Sequence, residues 1–349
     1  MGPREVPLTT ELVRCPDPQP FAGSDHQHGA CAHKRLLIRR PPTGGRSGAV
    51  SRVDPVTAEN SSSRLAHGVS PVWLVLVGIV SVQFGAGVAK TLFDDVAPTT
   101  IVWLRLVTSA LVLMLALRPR LRGRSRSDWL VVIGFGLSLA LMNWSIYQSF
   151  ARIPIGLAVT IEFIGPLTLA VAGSRRLLDL AWVGLAGLGV ALLGLDGGGM
   201  TLAGVAFALL AGVAWAGYIL LSARTGRTWA GLDGLAVASA IATALLAPAA
   251  LVTGGGDLLT PHVLLLGALV GVLSSVVPYS CELVALRRLA PSVFGILMSL
   301  EPAAAALAGL VVVGEFLGPA QYVAIACVVV ASIGATRSRR PPASALAAA

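Results

Sequence analysis

Residues 153–171 read IPIGLAVTIEFIGPLTLAV, and this stretch decides the fold. It is almost entirely apolar, with one ionisable residue, Glu162, and one proline well inside the run, Pro166. About 20 apolar residues are enough for a helix to cross the roughly 30 Å hydrocarbon core of a bilayer. The stretch therefore predicts a membrane-spanning helix that carries a carboxyl group.

Similar apolar stretches follow one another along most of the chain. The unbroken runs favour helices over barrel strands, because barrel strands alternate apolar and polar residues over shorter lengths. We therefore predict an all-α integral membrane protein with ten transmembrane helices. Their expected spans are 71–93, 98–117, 129–149, 154–173, 180–196, 202–221, 232–252, 263–284, 291–313 and 317–336.

The composition of the 349-residue chain supports this class. Hydrophobic residues make up 55% and charged residues 12%, and the mean hydropathy is +0.79, which is far too apolar for an ordinary soluble domain. The four cysteines are scattered, and neither a GxxxxGK[ST] phosphate loop nor an HExxH metal motif occurs. We therefore expect no enzyme activity, no cofactor and no bound metal.

The N-terminal 70 residues differ from the rest of the chain. They are rich in Pro, Gly, Arg, Ser and His, and they contain no long apolar run. Such a segment cannot bury enough surface to offset the entropy of ordering, so residues 1–70 are predicted to form a disordered cytoplasmic tail. No signal peptide is expected before residue 71, and residues 337–349 are expected to form a second cytoplasmic tail.

Arginines predict the orientation, because cytoplasmic loops are enriched in them. The alternate loops hold Asp94, Asp95, Asp196, Asp257 and Glu315 but only one arginine, Arg152. Both termini are therefore expected on the cytoplasmic side of the plasma (inner) membrane. The formal charge of +9 follows from this topology, so we expect no nucleic-acid partner. The predicted inner segments hold Arg118, Arg120, Arg122, Arg124, Arg126, Arg175, Arg176, Arg224, Arg227, Arg287, Arg288, Arg337, Arg339 and Arg340.

The two halves of the membrane region repeat at an offset of about 136 residues. This offset pairs Arg152 with Arg288, Pro166 with Pro302, Gly173 with Gly309, and Asp179 with Glu315. It predicts one five-helix repeat at 71–196 and a second at 202–336. Because five crossings is an odd number, the second repeat would enter the membrane from the opposite side, as in many secondary transporters.

Ionisable residues inside the predicted helices are costly there, at about 3 kcal/mol each on insertion scales. They are Lys90, Arg105, Glu162, Glu282 and Glu301. Each could instead reach the interface from a helix end, or form an ion pair that only orients helices. We interpret them as candidates for a substrate or proton pathway.

Pro166 and Pro302 lie close to Glu162 and Glu301, respectively. Proline removes a backbone donor, and the freed carbonyl is tolerated in a membrane only where protein or water meets it. The two prolines therefore predict a shared central cavity. A carboxyl group there could exchange protons or pair with a substrate ammonium, and the sequence leaves these two roles open.

Further polar and aromatic residues lie within the predicted helices. Individually, each is more often a helix contact or an interface aromatic than a ligand. Together with the carboxyl groups and the guanidinium, they suit a small zwitterion better than a lipid or a large apolar drug. The candidates are Gln83, Asn143, Tyr147, Trp215, Tyr218 and Tyr279.

Several long strings resemble one transporter family. They are PVWL and VQFGAGVAKTLF within 71–93, MNWSIYQS at 142–149, IPIGLAVTIEFIGPL with SRRLLD within 153–179, WAGYIL at 215–220, and VVPYSCELVALRRLAPSVFGILMSLEPAAAALAGLVVVGE at 276–315. On these residues the chain resembles the EamA-type transporters of the drug/metabolite transporter superfamily, and within them the threonine/homoserine exporters.

The resemblance implies an inner-membrane carrier that exports small amino acids against an inward flow of protons. The family's glutamates fall on Glu162, Glu282 and Glu301, without indicating which one couples transport. A multidrug or other metabolite exporter of the same fold is the close alternative. A non-transporting membrane enzyme is less favoured. The expected partners are a small amino acid, protons and membrane lipid, and a homodimer is left open.

A scaffold protein acting through the tail would need residues 1–68. Because the tail contributes no membrane segment, we expect deletion of residues 1–68 to leave both membrane insertion and efflux close to those of the full chain. Membrane fractionation and efflux from preloaded cells measure this. Loss of efflux in a truncated chain that still reaches the membrane would favour the scaffold interpretation.

Overall fold

The computed structural model describes residues 70–172, 177–195, 200–255, 260–286, 288–289 and 291–338. All of these belong to one compact unit, residues 59–349. Over the described ranges the chain is helical and contains no strand, which confirms the predicted all-α class. The two predicted tails, 1–70 and 337–349, lie outside these ranges except for their residues nearest the membrane region.

Thirteen α-helices and two π-helical segments follow one another through the described residues. The first π-helical segment, Val272–Val276, joins α9 to α10, and the second, Gly309–Val313, continues α12. The α-helices are α1 (Pro71–Thr91), α2 (Pro98–Leu117), α3 (Arg126–Phe150), α4 (Ile155–Glu162), α5 (Ile164–Val171), α6 (Leu177–Leu195), α7 (Leu202–Thr225), α8 (Asp233–Gly254), α9 (Pro261–Gly271), α10 (Val277–Leu286), α11 (Pro291–Met298), α12 (Glu301–Ala308) and α13 (Pro319–Ser338).

Eight helical spans in the described residues are long and apolar enough to cross a membrane. The two remaining predicted spans, 154–173 and 180–196, contain shorter apolar helices, Ile155–Leu169 and Leu177–Leu192. The protein is therefore a multi-pass helical membrane protein. The eight long spans are Pro71–Thr91, Pro98–Leu117, Arg126–Phe150, Leu202–Thr225, Asp233–Gly254, Pro261–Glu282, Val293–Val313 and Pro319–Arg337.

Two predicted spans, 154–173 and 291–313, are each interrupted by a short break. In an α-helix each backbone N–H bonds to the carbonyl four residues earlier. Pro166 and Pro302 have no N–H, so they leave the carbonyls of Glu162 and Met298 without their helical donors. Accordingly, α4 ends at Glu162 and α11 ends at Met298.

Helix bounds in the two halves coincide at the offset found in the sequence. Moving α4 forward by 136 residues gives the bounds of α11, Pro291–Met298. The same shift moves α2 to 234–253, where α8 spans Asp233–Gly254. It moves α3 to 262–286, where α9, the first π-helical segment and α10 together span 261–286.

Helix packing follows the same relation. The most extensive contacts join α3 to α7, α2 to α8, α6 to α13, and α1 to α10. Under the offset, α3 with α7 corresponds to α10 with α1, because α3 matches α9–α10 and α1 precedes α2 as α7 precedes α8. The described residues thus form a single bundle in which each half packs against the other.

A backbone contact joins α4 to α12 beside the two helix breaks. A Cβ atom added to Gly156 would lie 2.7 Å from Ala306 Cα and 2.8 Å from Ala306 Cβ. Small residues let membrane helices approach this closely and gain van der Waals contact. Gly156 therefore sets the spacing between the two broken helices.

Gly156→Ala is expected to destabilise the protein by about 1–3 kcal/mol, because the added methyl group overpacks the α4–α12 contact. Thermal unfolding in detergent, followed by size-exclusion chromatography, measures the change.

Gly184→Ala on α6 is the matched control, since a Cβ there meets nothing within 4 Å. It should be neutral or stabilising because alanine favours helix over glycine by about 1 kcal/mol. Equal stability of the two variants would contradict the interpretation of the contact.

Candidate functional site

A cavity of about 1220 Å³ lies among helices of both halves. Its lining comes from α1, α2, α3, α4, α5 and α7 and from the first π-helical segment, α10, α11, α12 and α13. Pockets for small ligands typically measure about 300–1000 Å³, so this cavity is large enough for an amino acid with water around it.

Most of the residues predicted for the site line this cavity. Three do not: Lys90, Tyr147 and Pro302 are absent from the lining. The predicted residues that the structure brings together are Gln83, Arg105, Asn143, Glu162, Pro166, Trp215, Tyr218, Tyr279, Glu282 and Glu301.

Two of the carboxyl groups lie at the helix breaks. Glu162 is the last residue of α4, and it is buried. Glu301 is the first residue of α12 and accepts a hydrogen bond of 3.3 Å from Gln83 Nε2 on α1. The other oxygen of Glu301, Oε2, is buried and has no hydrogen-bond partner within the described part of the chain. An acceptor is thus available for a ligand donor or a proton.

The third carboxyl group, Glu282, lines the cavity from α10. One turn earlier on the same helix, Tyr279 also lines it. Three acidic side chains from three different helices therefore face one space. Like charges so close disfavour one another, which favours binding of a cation or uptake of protons.

Arg105 on α2 is the cationic group of the cavity lining at mid-helix. Its Nε donates to Ser275 Oγ at 3.3 Å, and its Nη2 donates to the Ser274 carbonyl oxygen at 2.9 Å. Its guanidinium also lies 5.7 Å from the centre of the Tyr147 ring. All three of these contacts are with uncharged groups, so they fix the orientation of the guanidinium without neutralising it.

The first π-helical segment explains why a backbone carbonyl reaches Arg105. Ser274 and Ser275 both lie within Val272–Val276. A π-helical turn departs from the i to i+4 hydrogen-bond pattern, and such turns are frequent at functional sites. The Ser274 carbonyl and the Ser275 hydroxyl together hold the guanidinium on the α2 side of the cavity.

Sequence reasoning missed these two serines. Single serines are ordinary in membrane helices, and a π-helical turn leaves no trace in hydropathy. The adjacent pair Ser274–Ser275 inside an apolar run, shortly before Pro278, was the available signal. Tyr147 was predicted as a site residue, and the structure places it against Arg105 behind the cavity wall.

Aromatic rings form one wall of the cavity on α7. Trp215 packs edge-on against Phe163 with ring centres 5.3 Å apart, and Tyr218 packs against Phe135 at 5.0 Å. Because each ring is held by a neighbour, the wall is rigid. Asn143 on α3 donates to its own helix at Leu139 and lies beside this wall in the lining.

Lys90 lies outside the cavity lining, in an ion pair. Its Nζ is 2.6 Å from Glu315 Oε1 and donates to the Ile153 carbonyl at 2.8 Å. Glu315 Oε2 in turn accepts from the backbone N–H of Ile155 at 2.8 Å. Glu315 was expected only as a loop residue, and its pairing with Lys90 was not foreseen.

The described residues contain no group of three or more His, Cys, Asp or Glu side chains arranged to hold a metal ion. The side chains that converge on the cavity are instead carboxyl, guanidinium, amide and aromatic groups. This set can bind an organic ion of either sign and can exchange protons.

Comparisons with known proteins agree with this architecture. Residues 202–337 match the EamA-like transporter family. The threonine/homoserine exporter RhtA of Salmonella typhimurium (strain LT2) is 41% identical over 280 residues, covering 78% of this chain and 95% of the relative. The threonine/homoserine exporter RhtA of Escherichia coli K12 is 40% identical over 277 residues, covering 77% and 94%.

A solved crystal structure also superposes on the chain. The TM-score is 0.52 at 21% sequence identity, over 76% of this chain and 96% of the other. At this level of identity the match concerns the fold alone.

Proposed function

The chain belongs to the EamA-like transporter family, and from that premise we propose that it exports small polar amino acids of the threonine and homoserine type across the plasma membrane. The observation that carries the proposal is the cavity, where an unneutralised guanidinium and three carboxyl groups face one space. A zwitterion needs both signs of charge within a few ångströms.

The proposed topology has ten crossings in two inverted five-helix repeats, residues 71–196 and 202–336, with both termini in the cytoplasm. Support comes from the helix bounds that coincide at an offset of 136 residues. The corresponding helix pairs also pack alike. Five crossings per repeat and the arginine-rich loops then give the orientation.

Arg105 is the proposed site for the substrate carboxylate. A guanidinium has five N–H donors, so donors remain after the bonds to Ser274 and Ser275. Paired donors match the geometry of a carboxylate, and a charge-assisted bond of this kind is strong. Gln83, Asn143, Trp215 and Tyr218 would shape the surrounding space.

Glu162 and Glu301 are the proposed acceptors for the substrate ammonium and for protons, with Glu282 as the third carboxyl group. A proton and an ammonium compete for the same carboxylate. Proton uptake from outside would therefore release the substrate, and proton release inside would allow the next one to bind. This competition gives exchange of an outgoing amino acid for incoming protons.

A second candidate is export of a larger amphipathic cation or another metabolite. The cavity volume of about 1220 Å³ favours it, because a single threonine occupies only part of that space. Acidic side chains and an aromatic wall are also suited to a cation. Efflux of an amphipathic cation dye from expressing cells would support this alternative.

The main test is release of labelled threonine and homoserine from preloaded cells, with and without an uncoupler. We expect release faster than in control cells, slowed when the proton gradient is collapsed. Release that ignores the uncoupler would remove proton coupling. No release, with the protein confirmed in the membrane, would move the assignment to the second candidate.

Glu162→Gln should lower this efflux at least tenfold while leaving the amount of protein in the membrane unchanged, because the amide keeps the shape but cannot take up a proton. Asp94→Asn is the control, since it removes an exposed carboxylate outside the cavity lining. Retained efflux in Glu162→Gln would remove this residue from the mechanism.

Ser275→Ala should raise the apparent KM for threonine about fivefold with little change in maximal rate. The variant loses one hydrogen bond that orients Arg105, worth about 1 kcal/mol. Ser280→Ala is the matched control, because this exposed hydroxyl bonds only the Val276 carbonyl of its own helix. Equal KM values in the two variants would contradict a positioning role for Ser275.

A further inference from the structure

The ion pair between Lys90 and Glu315 joins three separate parts of the bundle. Lys90 is in the last turn of α1, and Glu315 lies between the second π-helical segment and α13. Both side chains also bond the backbone around the start of α4, at Ile153 and Ile155. Four contacts therefore fix α1, α4 and the segment before α13 to one another.

Glu315 satisfies a backbone group that would otherwise be left without a partner. Ile155 is the first residue of α4 and is fully buried, and the first N–H groups of a helix have no partner within it. The carboxylate accepts from this N–H and also complements the positive end of the helix dipole. A Cβ on Gly309 would lie 2.5 Å from Glu315 Oε2, so the glycine leaves room for the carboxylate.

The pair and the open side of the cavity lie at opposite ends of α13. Glu315 precedes this helix, whereas the cavity lining extends to Thr336 and Arg337 in its last turn. A 20-residue helix rises about 30 Å, which is the thickness of the hydrocarbon core. In the proposed topology the Lys90–Glu315 end faces outward and the Arg337 end faces the cytoplasm.

Buried apolar side chains lie next to the pair and close the same end. Ile153 and Ile155 belong to one cluster with Ala89, Tyr147 and Phe150, all of them buried. The outer end of the bundle is thus closed by an apolar layer, and the ion pair ties its parts together.

The opposite end cannot form the same arrangement. The repeat places Asp179 where Glu315 lies and Pro291 where Ile155 lies. Proline has no N–H, so the bond from the first amide of the broken helix to the carboxylate has no equivalent at α11. The lock therefore belongs to the outer end alone.

We propose that Lys90 and Glu315 form the outer gate of the cavity, an inference that rests on the proposed transport function. With the pair formed, the cavity opens to the cytoplasm and loads substrate there. Opening outward breaks the pair and releases the start of α4. Because α4 has only eight residues, its other end at Glu162 lies about 12 Å away, so events in the cavity reach the gate through one short helix.

The test measures access to the cavity from each side by thiol labelling. Cys15, Cys31, Cys281 and Cys327 are first replaced by serine or alanine. One reporter cysteine is then placed at Ile146, which lines the cavity towards the outer end of α3, or at Phe294, which lines it near the start of α11. A charged maleimide that does not cross membranes is applied to intact cells or to inside-out vesicles.

We expect slow outside labelling of Ile146→Cys when Lys90 and Glu315 are intact. Lys90→Gln and Glu315→Gln should each raise that rate at least tenfold and lower the labelling of Phe294→Cys in inside-out vesicles. Lys90→Arg should label as slowly as the parent, because it keeps the ion pair. Asp94→Asn, an exposed charge in the same connection after α1, should change neither rate.

Outside labelling of Ile146→Cys that stays as slow as in the parent in both glutamine variants would overturn the gate. So would equal acceleration in Asp94→Asn, because any loss of charge at this end would then suffice. The amount of protein in the membrane and the labelling of Phe294→Cys check that each variant is folded. Since labelling needs no substrate, a failure of threonine export leaves this readout intact, and the two proposals fail separately.

Discussion

The structure depends on one constraint: within a bilayer every backbone N–H and carbonyl must find a partner inside the protein. Pro166 and Pro302 break this requirement once in each half, and the carbonyls they release belong to Glu162 and Met298. The helices end there, and the space beside the breaks becomes the cavity. The carboxyl groups of Glu162 and Glu301 occupy this space because a polar opening lowers the cost of keeping them in the membrane.

Charge is distributed unevenly between the cavity and its closed end. Inside the cavity the groups are arranged so that something is missing: Arg105 is held by neutral partners, and one oxygen of Glu301 has no partner in the described residues. At the closed end the opposite holds, because Lys90 and Glu315 satisfy both each other and the backbone around Ile155. The same residue types therefore serve ligand binding in one place and closure in the other.

Hydropathy alone located the helices well, because helix length and apolar content follow directly from bilayer thickness. The helix breaks were also expected, since they follow from the covalent structure of proline. Pairings between distant residues were not: Lys90 with Glu315, and Arg105 with Ser274 and Ser275, depend on how helices pack and on a π-helical turn. Tyr147 shows the same limit, because a position on a helix does not reveal which side of the cavity wall it occupies.

The contact of Gly156 with Ala306 has a consequence for reading genetic data. A screen that scores only growth under amino-acid stress would rank Gly156 as highly as Glu162, two turns further along the same helix. Most changes at either position would be depleted, one because the protein no longer assembles and the other because it no longer exchanges ions. Only a screen that also counts molecules at the cell surface would separate architecture from chemistry on this helix.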